Sequence, residues 1–68
     1  MIDVQKLKGK IVEKGYSQRD MAHLIKKTPK TFYRKMKNGI FDSNEIQIIV
    51  EALGIENPSE IFFAKDVT

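Results

Sequence analysis

The sequence predicts an all-α fold of five short helices, and three observations lead there. Apolar residues recur at helical spacing wherever a segment is long enough to show a period. Asp, Ser or Thr precedes those segments and Gly follows most of them, which is the punctuation of helix starts and stops. No stretch alternates apolar with polar residues as a half-buried strand would.

The first helix is expected from about Val4 to Lys14. Val4, Leu7, Ile11 and Val12 fall at i, i+3, i+7 and i+8 and define one buried face. Asp3 is its N-cap and Gly15 its left-handed stop. Gly9 inside it is either a close helix crossing or a surface glycine. The second helix opens on Ser17 and Asp20, a Ser-x-x-Asp capping-box pattern, with Tyr16 and Met21 spaced for a hydrophobic staple across it. Met21, Leu24 and Ile25 then form the expected buried face.

Thr28 as N-cap and Pro29 at the first helical position start the third helix. Phe32 and Met36, four apart, mark its core side, and Asn38-Gly39 ends it. Only Lys26 and Lys27 separate the second and third helices, so the two must cross steeply in a tight helix-turn-helix over about residues 17–39. The fourth helix opens at Asp42 or Ser43, with Glu45 as box partner of Asp42. Ile46, Ile49, Val50 and Leu53 line its core side, and Gly54 stops it. Asn57-Pro58-Ser59-Glu60 caps a short fifth helix, with Pro58 at its first position, leading into Ile61, Phe62 and Phe63.

Length and composition bound what such a chain does. Its 68 residues suit one domain, 1–68, which buries only about 60% of the surface its unfolded form exposes. It has no Cys and one histidine, His23, without paired carboxylates at ligand spacing, so no metal and no cofactor is expected. Ser17, Asp20 and His23 crowd one helix start and cannot form a nucleophilic triad, and no phosphate loop is present. An enzyme is not expected. No apolar run reaches the ~20 residues of a membrane span, and no secretory core is visible. The expectation is a soluble cytoplasmic protein with no membrane partner.

Charge divides the chain. Residues 1–40 carry eleven of the twelve Lys and Arg against Asp3, Glu13 and Asp20, a net of +8. Residues 41–68 carry Lys65 against Asp42, Glu45, Glu51, Glu56, Glu60 and Asp66, a net of −5. A basic end of this kind is what a polyanion-binding domain presents, and ordinary solvated helix surface is the plainer alternative.

The run from Tyr16 to Gly39, YSQRDMAHLIKKTPKTFYRKMKNG, resembles the DNA-binding core of the phage repressor and Cro-like family. Glu45–Ile55 is similar to that family's fourth helix, and the resemblance covers about residues 4–63. It implies a compact five-helix, repressor-like domain whose helix-turn-helix is formed by helices 2 and 3. Counted from Gln18, Met21 and Ile25 match the family's apolar core positions, Ala22 its small contact residue and Phe32 its main core residue. The chain departs from the pattern at Lys26, where the family favours Gly, and at Lys27 and Lys35, where it favours apolar residues. Met36 stands in for the last of these.

The resemblance also implies a recognition helix at about 29–37, lying in the major groove of double-stranded DNA. Gln18 matches the family's phosphate-binding glutamine. Arg34 is the candidate reader of bases, since a guanidinium bonds G O6 and N7 together, and Lys30 is a second candidate for bases or phosphate. Thr28 and Thr31 reach the backbone or a thymine methyl. Lys37 and Asn38 suit flanking phosphates, and Tyr33 either touches DNA or packs beside the turn. Pro29 is structural, and Lys6, Lys8, Lys10 and Lys14 of the first helix are read as solvated.

The function this implies is a Cro-like transcriptional regulator, a repressor type, bound as a homodimer to a pseudo-palindromic operator. The apolar residues Phe41, Ile48, Phe62 and Phe63, surplus to the helix 4 stripe, motivate the dimer, and a filled core is their other reading. The rival function keeps the fold and drops the DNA. It is an antirepressor or modulator that meets a partner repressor protein through the acidic half. RNA or nonspecific nucleic-acid binding is disfavoured because no aromatic platform beyond Tyr33 is evident.

Overall fold

The computed structural model describes residues 2–62, and these contain five α-helices and no strand. They are α1 (Val4–Glu13), α2 (Gln18–Leu24), α3 (Pro29–Asn38), α4 (Ser43–Leu53) and α5 (Ser59–Phe62). Among the described residues no helix is long and apolar enough to cross a membrane.

The starts of α1 to α4 are each set by a side chain. Asp3 accepts from the Lys6 N–H, Ser17 from that of Asp20, Thr28 from that of Thr31, and Asp42 from that of Glu45. The capping boxes of α2 and α4 are complete. The short Asp20 side chain reaches the Ser17 N–H at 2.8 Å, and Glu45 reaches that of Asp42 at 3.0 Å. Tyr16 and Met21 both join the core, as the staple requires. The fifth helix starts one residue later than the proline spacing predicts. The Pro58 carbonyl accepts from Ile61 and Phe62, which leaves Pro58 just before the helix.

Helix ends share one hydrogen-bond pattern, the double bond of a Schellman turn. After α1, Gly15 and Tyr16 donate to the carbonyls of Val12 and Ile11. Gly39 and Ile40 donate to Met36 and Lys35 after α3, and Gly54 and Ile55 to Glu51 and Val50 after α4. The same turn follows α2, where Lys26 and Lys27 donate to His23 and Ala22. The left-handed position is glycine three times, and at α2 it is Lys26, with φ of 61°. A side chain in that conformation costs about 1–2 kcal/mol.

The core is built from all five helices. Leu7, Ile11, Met21, Ala22, Phe32, Met36, Ile49, Leu53 and Phe62 are essentially without exposed surface. Phe32 and Phe41 meet as a tilted pair, ring centroids 5.6 Å apart. α2 packs on α3 and α4, and α1 packs on α5, where the Asp3 N–H donates to the Ile61 carbonyl.

Two expectations are corrected here and two open alternatives are decided. Val12, placed on the buried face of α1, is 73% exposed, because it lies a further ~100° round the helix from Ile11. Leu24 lies at the edge of the α2 face and is 38% exposed, while Ala22 fills the contact between helices. Gly9 makes no close crossing, since nothing lies within 4 Å of where its Cβ would be. Phe41 and Phe62 are core residues, and Ile48 is half-buried against that core, so none of the three is surplus surface that asks for a dimer. Phe63 lies outside the described residues.

Candidate functional site

α3 is divided lengthwise into three strips by the helical repeat of about 100° per residue. Phe32 and Met36 face inward and fix the helix on the core. Lys30, Arg34 and Asn38, spaced at i, i+4 and i+8, run along the opposite, exposed side, with Arg34 directly opposite the buried pair. Tyr33 and Lys37 flank that line on one side, and Thr31 and Lys35 on the other. Lys30 and Arg34, the cations of the outer strip, are exposed and take no part in the ion pairs among the described residues.

The expected residues therefore share a surface, with differences in availability. Lys30, Arg34, Lys37 and Asn38 are exposed, and Tyr33 is half exposed. Thr28 and Thr31 hold each other. The Thr28 hydroxyl donates to that of Thr31 at 3.0 Å and accepts from its N–H at 3.2 Å. That network caps α3 and leaves the pair less free to reach an outside group than their type suggests. Gln18, half-buried, stands at the first turn of α2 and lines a shallow groove of about 400 Å³ together with Tyr33, Lys37, Met36, Val4 and Lys8. The amide at one helix start and the ammonium near the end of another thus come to the same place.

The turn that sets α2 against α3 is the Lys26–Lys27 Schellman turn. Its Lys27 occupies the position that often makes an apolar contact back to the helix, and here it is exposed. Ser17 closes the other end of α2. Its backbone N–H, foremost, and its hydroxyl hold the Asp20 carboxyl below its ordinary value of 3.8.

The orientation of α3 is also fixed by a contact that the sequence does not announce. Glu45, expected only as a capping residue, is 3% exposed. Its Oε1 lies 3.1 Å from the Lys35 ammonium while accepting from the Asp42 N–H. Its Oε2 is buried without a hydrogen-bond partner among the described residues. Lys35 therefore fills its departure from the apolar pattern by anchoring α3 to α4 through a largely buried ion pair. Broken, such a pair leaves a buried charge uncompensated.

The described residues contain no group of three or more His, Asp or Glu placed to hold a metal ion. The surface around α3 offers donors and positive charge: residues 17–39 carry seven Lys and Arg against Asp20 alone. Chemically, that arrangement suits binding a polyanion. No protein-family model, curated protein or solved structure matches this chain.

Proposed function

We propose that the chain is a sequence-specific, double-stranded DNA-binding transcriptional regulator of the Cro/repressor type. In this reading α2 and α3 act as a helix-turn-helix, and α3 enters the major groove as recognition helix. One observation carries the reading: a helix anchored on its inner side by Phe32 and Met36 presents Lys30, Arg34 and Asn38 in line on its outer side. An α-helix fits the major groove, and guanidinium, ammonium and amide groups are those that bond base edges and phosphates there. Arg34, central on that side, is assigned to a base, Lys30 to a base or phosphate, and Gln18, Lys37 and Asn38 to phosphates. Thr28 and Thr31 position the helix start, and Tyr33 borders the contact.

The proposal includes a cytoplasmic, non-catalytic protein and a homodimer on a pseudo-palindromic operator. One recognition helix reads only three or four base contacts, so two are needed for a usefully long site. A second reading, a modulator of another repressor, is favoured by one feature. Residues 41–62 expose Asp42, Glu51, Glu56 and Glu60 and contain no Lys or Arg, a surface suited to a basic protein partner.

Capture of sheared source-genome DNA, washed at about 150 mM salt where phosphate-only binding is suppressed, tests the proposal. Recovery of a few fragments that share an inverted repeat is the expected result. Arg34→Ala should lose about 1–3 kcal/mol of affinity at one base position and relax the preference there. Uniform recovery, or none, contradicts specific readout. Sedimentation of the protein as a monomer at high concentration, with and without DNA, contradicts the dimer.

A further inference from the structure

The three lysines of α1 and Lys14 at its end look alike in the sequence, and the structure separates them. Lys6, Lys10 and Lys14 line one groove, about 620 Å³, between α1 and the α4–α5 connection. Glu13, Glu56 and Glu60 line the same groove and balance their charge. Lys8 lines the other groove with Gln18 and Lys37, and among the described residues no carboxylate lines that one. The helical repeat explains the separation. Lys8 follows Val4 by four residues, and Val4 packs on the core beside Gly39, at the end of α3. Lys6 and Lys10 are each two residues from Lys8, about 200° round the helix, and so leave on the far side.

We infer that Lys8 contacts the sugar-phosphate backbone of duplex DNA, forming with Gln18 and Lys37 a single cleft for one edge of the groove that α3 enters. The inference rests on the DNA-binding reading above and adds to it a residue from outside the α2–α3 pair. Three different helices supply the cleft's donors: Lys8 from α1, Gln18 from α2, and Lys37 with Tyr33 from α3. Two ammonium groups, an amide and the phenol of Tyr33, with no acid among them, complement a chain of phosphates. The neighbouring groove, with lysines and carboxylates in equal number, does not. Lys8 thereby decides which side of α1 faces the nucleic acid.

The test compares wild type, Lys8→Gln and Lys6→Gln on a random-sequence duplex of roughly 20 base pairs, two helical turns, over a series of salt concentrations. Both lysines are exposed, so both variants keep the wild-type melting temperature, checked by circular dichroism. For Lys8→Gln the slope of log K against log salt should become shallower by about 0.9, while Lys6→Gln keeps the wild-type slope. The affinity gap between wild type and Lys8→Gln then narrows about 3.5-fold from 50 to 200 mM salt. A wild-type slope for Lys8→Gln overturns the assignment and leaves the DNA-binding reading intact. Equal losses for both variants overturn it too, since they report only a diffuse field. Failure of the wild type to bind any duplex overturns the underlying reading and this contact together.

Discussion

The α2–α3 pair and the α4–α5 pair begin from the same local chemistry. α2 and α4 each open on a complete capping box, and α2, α3 and α4 each close on a Schellman turn. Their exteriors are opposite. Residues 17–39 carry seven cations and one acid, whereas residues 41–62 carry four exposed acids, the buried Glu45 and no cation. Capping and packing therefore account for why both pairs fold, and for nothing about what they bind. Function has to be sought in the side chains that folding leaves over, and on α3 these are Lys30, Arg34, Lys37 and Asn38.

One side chain from each pair crosses between them, and breaking that link is the strongest way to disturb the comparison. Lys35→Met leaves Glu45 buried and without its cation. Removing one partner of a fully buried pair costs about 3–5 kcal/mol. Lys35 keeps 23% of its side chain exposed, so a loss of about 2 kcal/mol is expected, read from urea unfolding midpoints. Unchanged stability would mean that Glu45 finds water in place of Lys35.

A smaller effect separates the two pairs at their turns. α3 and α4 stop on glycine, whereas α2 stops on Lys26 in the same left-handed conformation. Lys26→Gly should raise stability by about 0.5–1 kcal/mol, the relief of side-chain strain less glycine's added unfolded-state entropy. Thermal unfolding checks it, and a loss of stability would mean that the Lys26 side chain makes a contact worth more than its strain.

The smallest effect is one of pH. Ser17 holds the Asp20 carboxyl below 3.8, so the folded state binds that proton less tightly than the unfolded chain. The resulting stabilisation is present above the ordinary carboxylate value and is lost as pH falls through the lower, folded-state value. Asp20→Asn should remove this part of the acid dependence. Melting curves of variant and wild type should differ above the ordinary carboxylate value and converge as pH falls below the folded-state value. Parallel curves would show that the capping box does not stabilise through charge.

Most of the fold is legible in the sequence because caps and stops are local. Ser17, Thr28, Asp42, Gly39 and Gly54 each act within a few residues of where they stand. What escapes is decided by packing between helices. Val12 and Leu24 sit at the edges of their apolar stripes, and which edge is covered depends on where the neighbouring helix lies. Phe41 and Phe62 fall outside the helix 4 stripe and are claimed by the core. Glu45 fits its capping role so well that nothing in the sequence hints at its burial against Lys35. The candidate site divides in the same way. Lys30, Arg34 and Lys37 are legible once Phe32 and Met36 are taken as inward. Lys8 is not, because its place beside Gln18 and Lys37 depends on how α1 lies against α3.

Titration of isotope-labelled protein with duplex DNA, followed by NMR residue by residue, tests the central claim most directly. The account predicts shifts at Gln18, Lys30, Arg34, Lys37 and Asn38, and at Lys8, with Ser43–Phe62 unmoved. Shifts concentrated on Ser43–Phe62, or none anywhere, would contradict it.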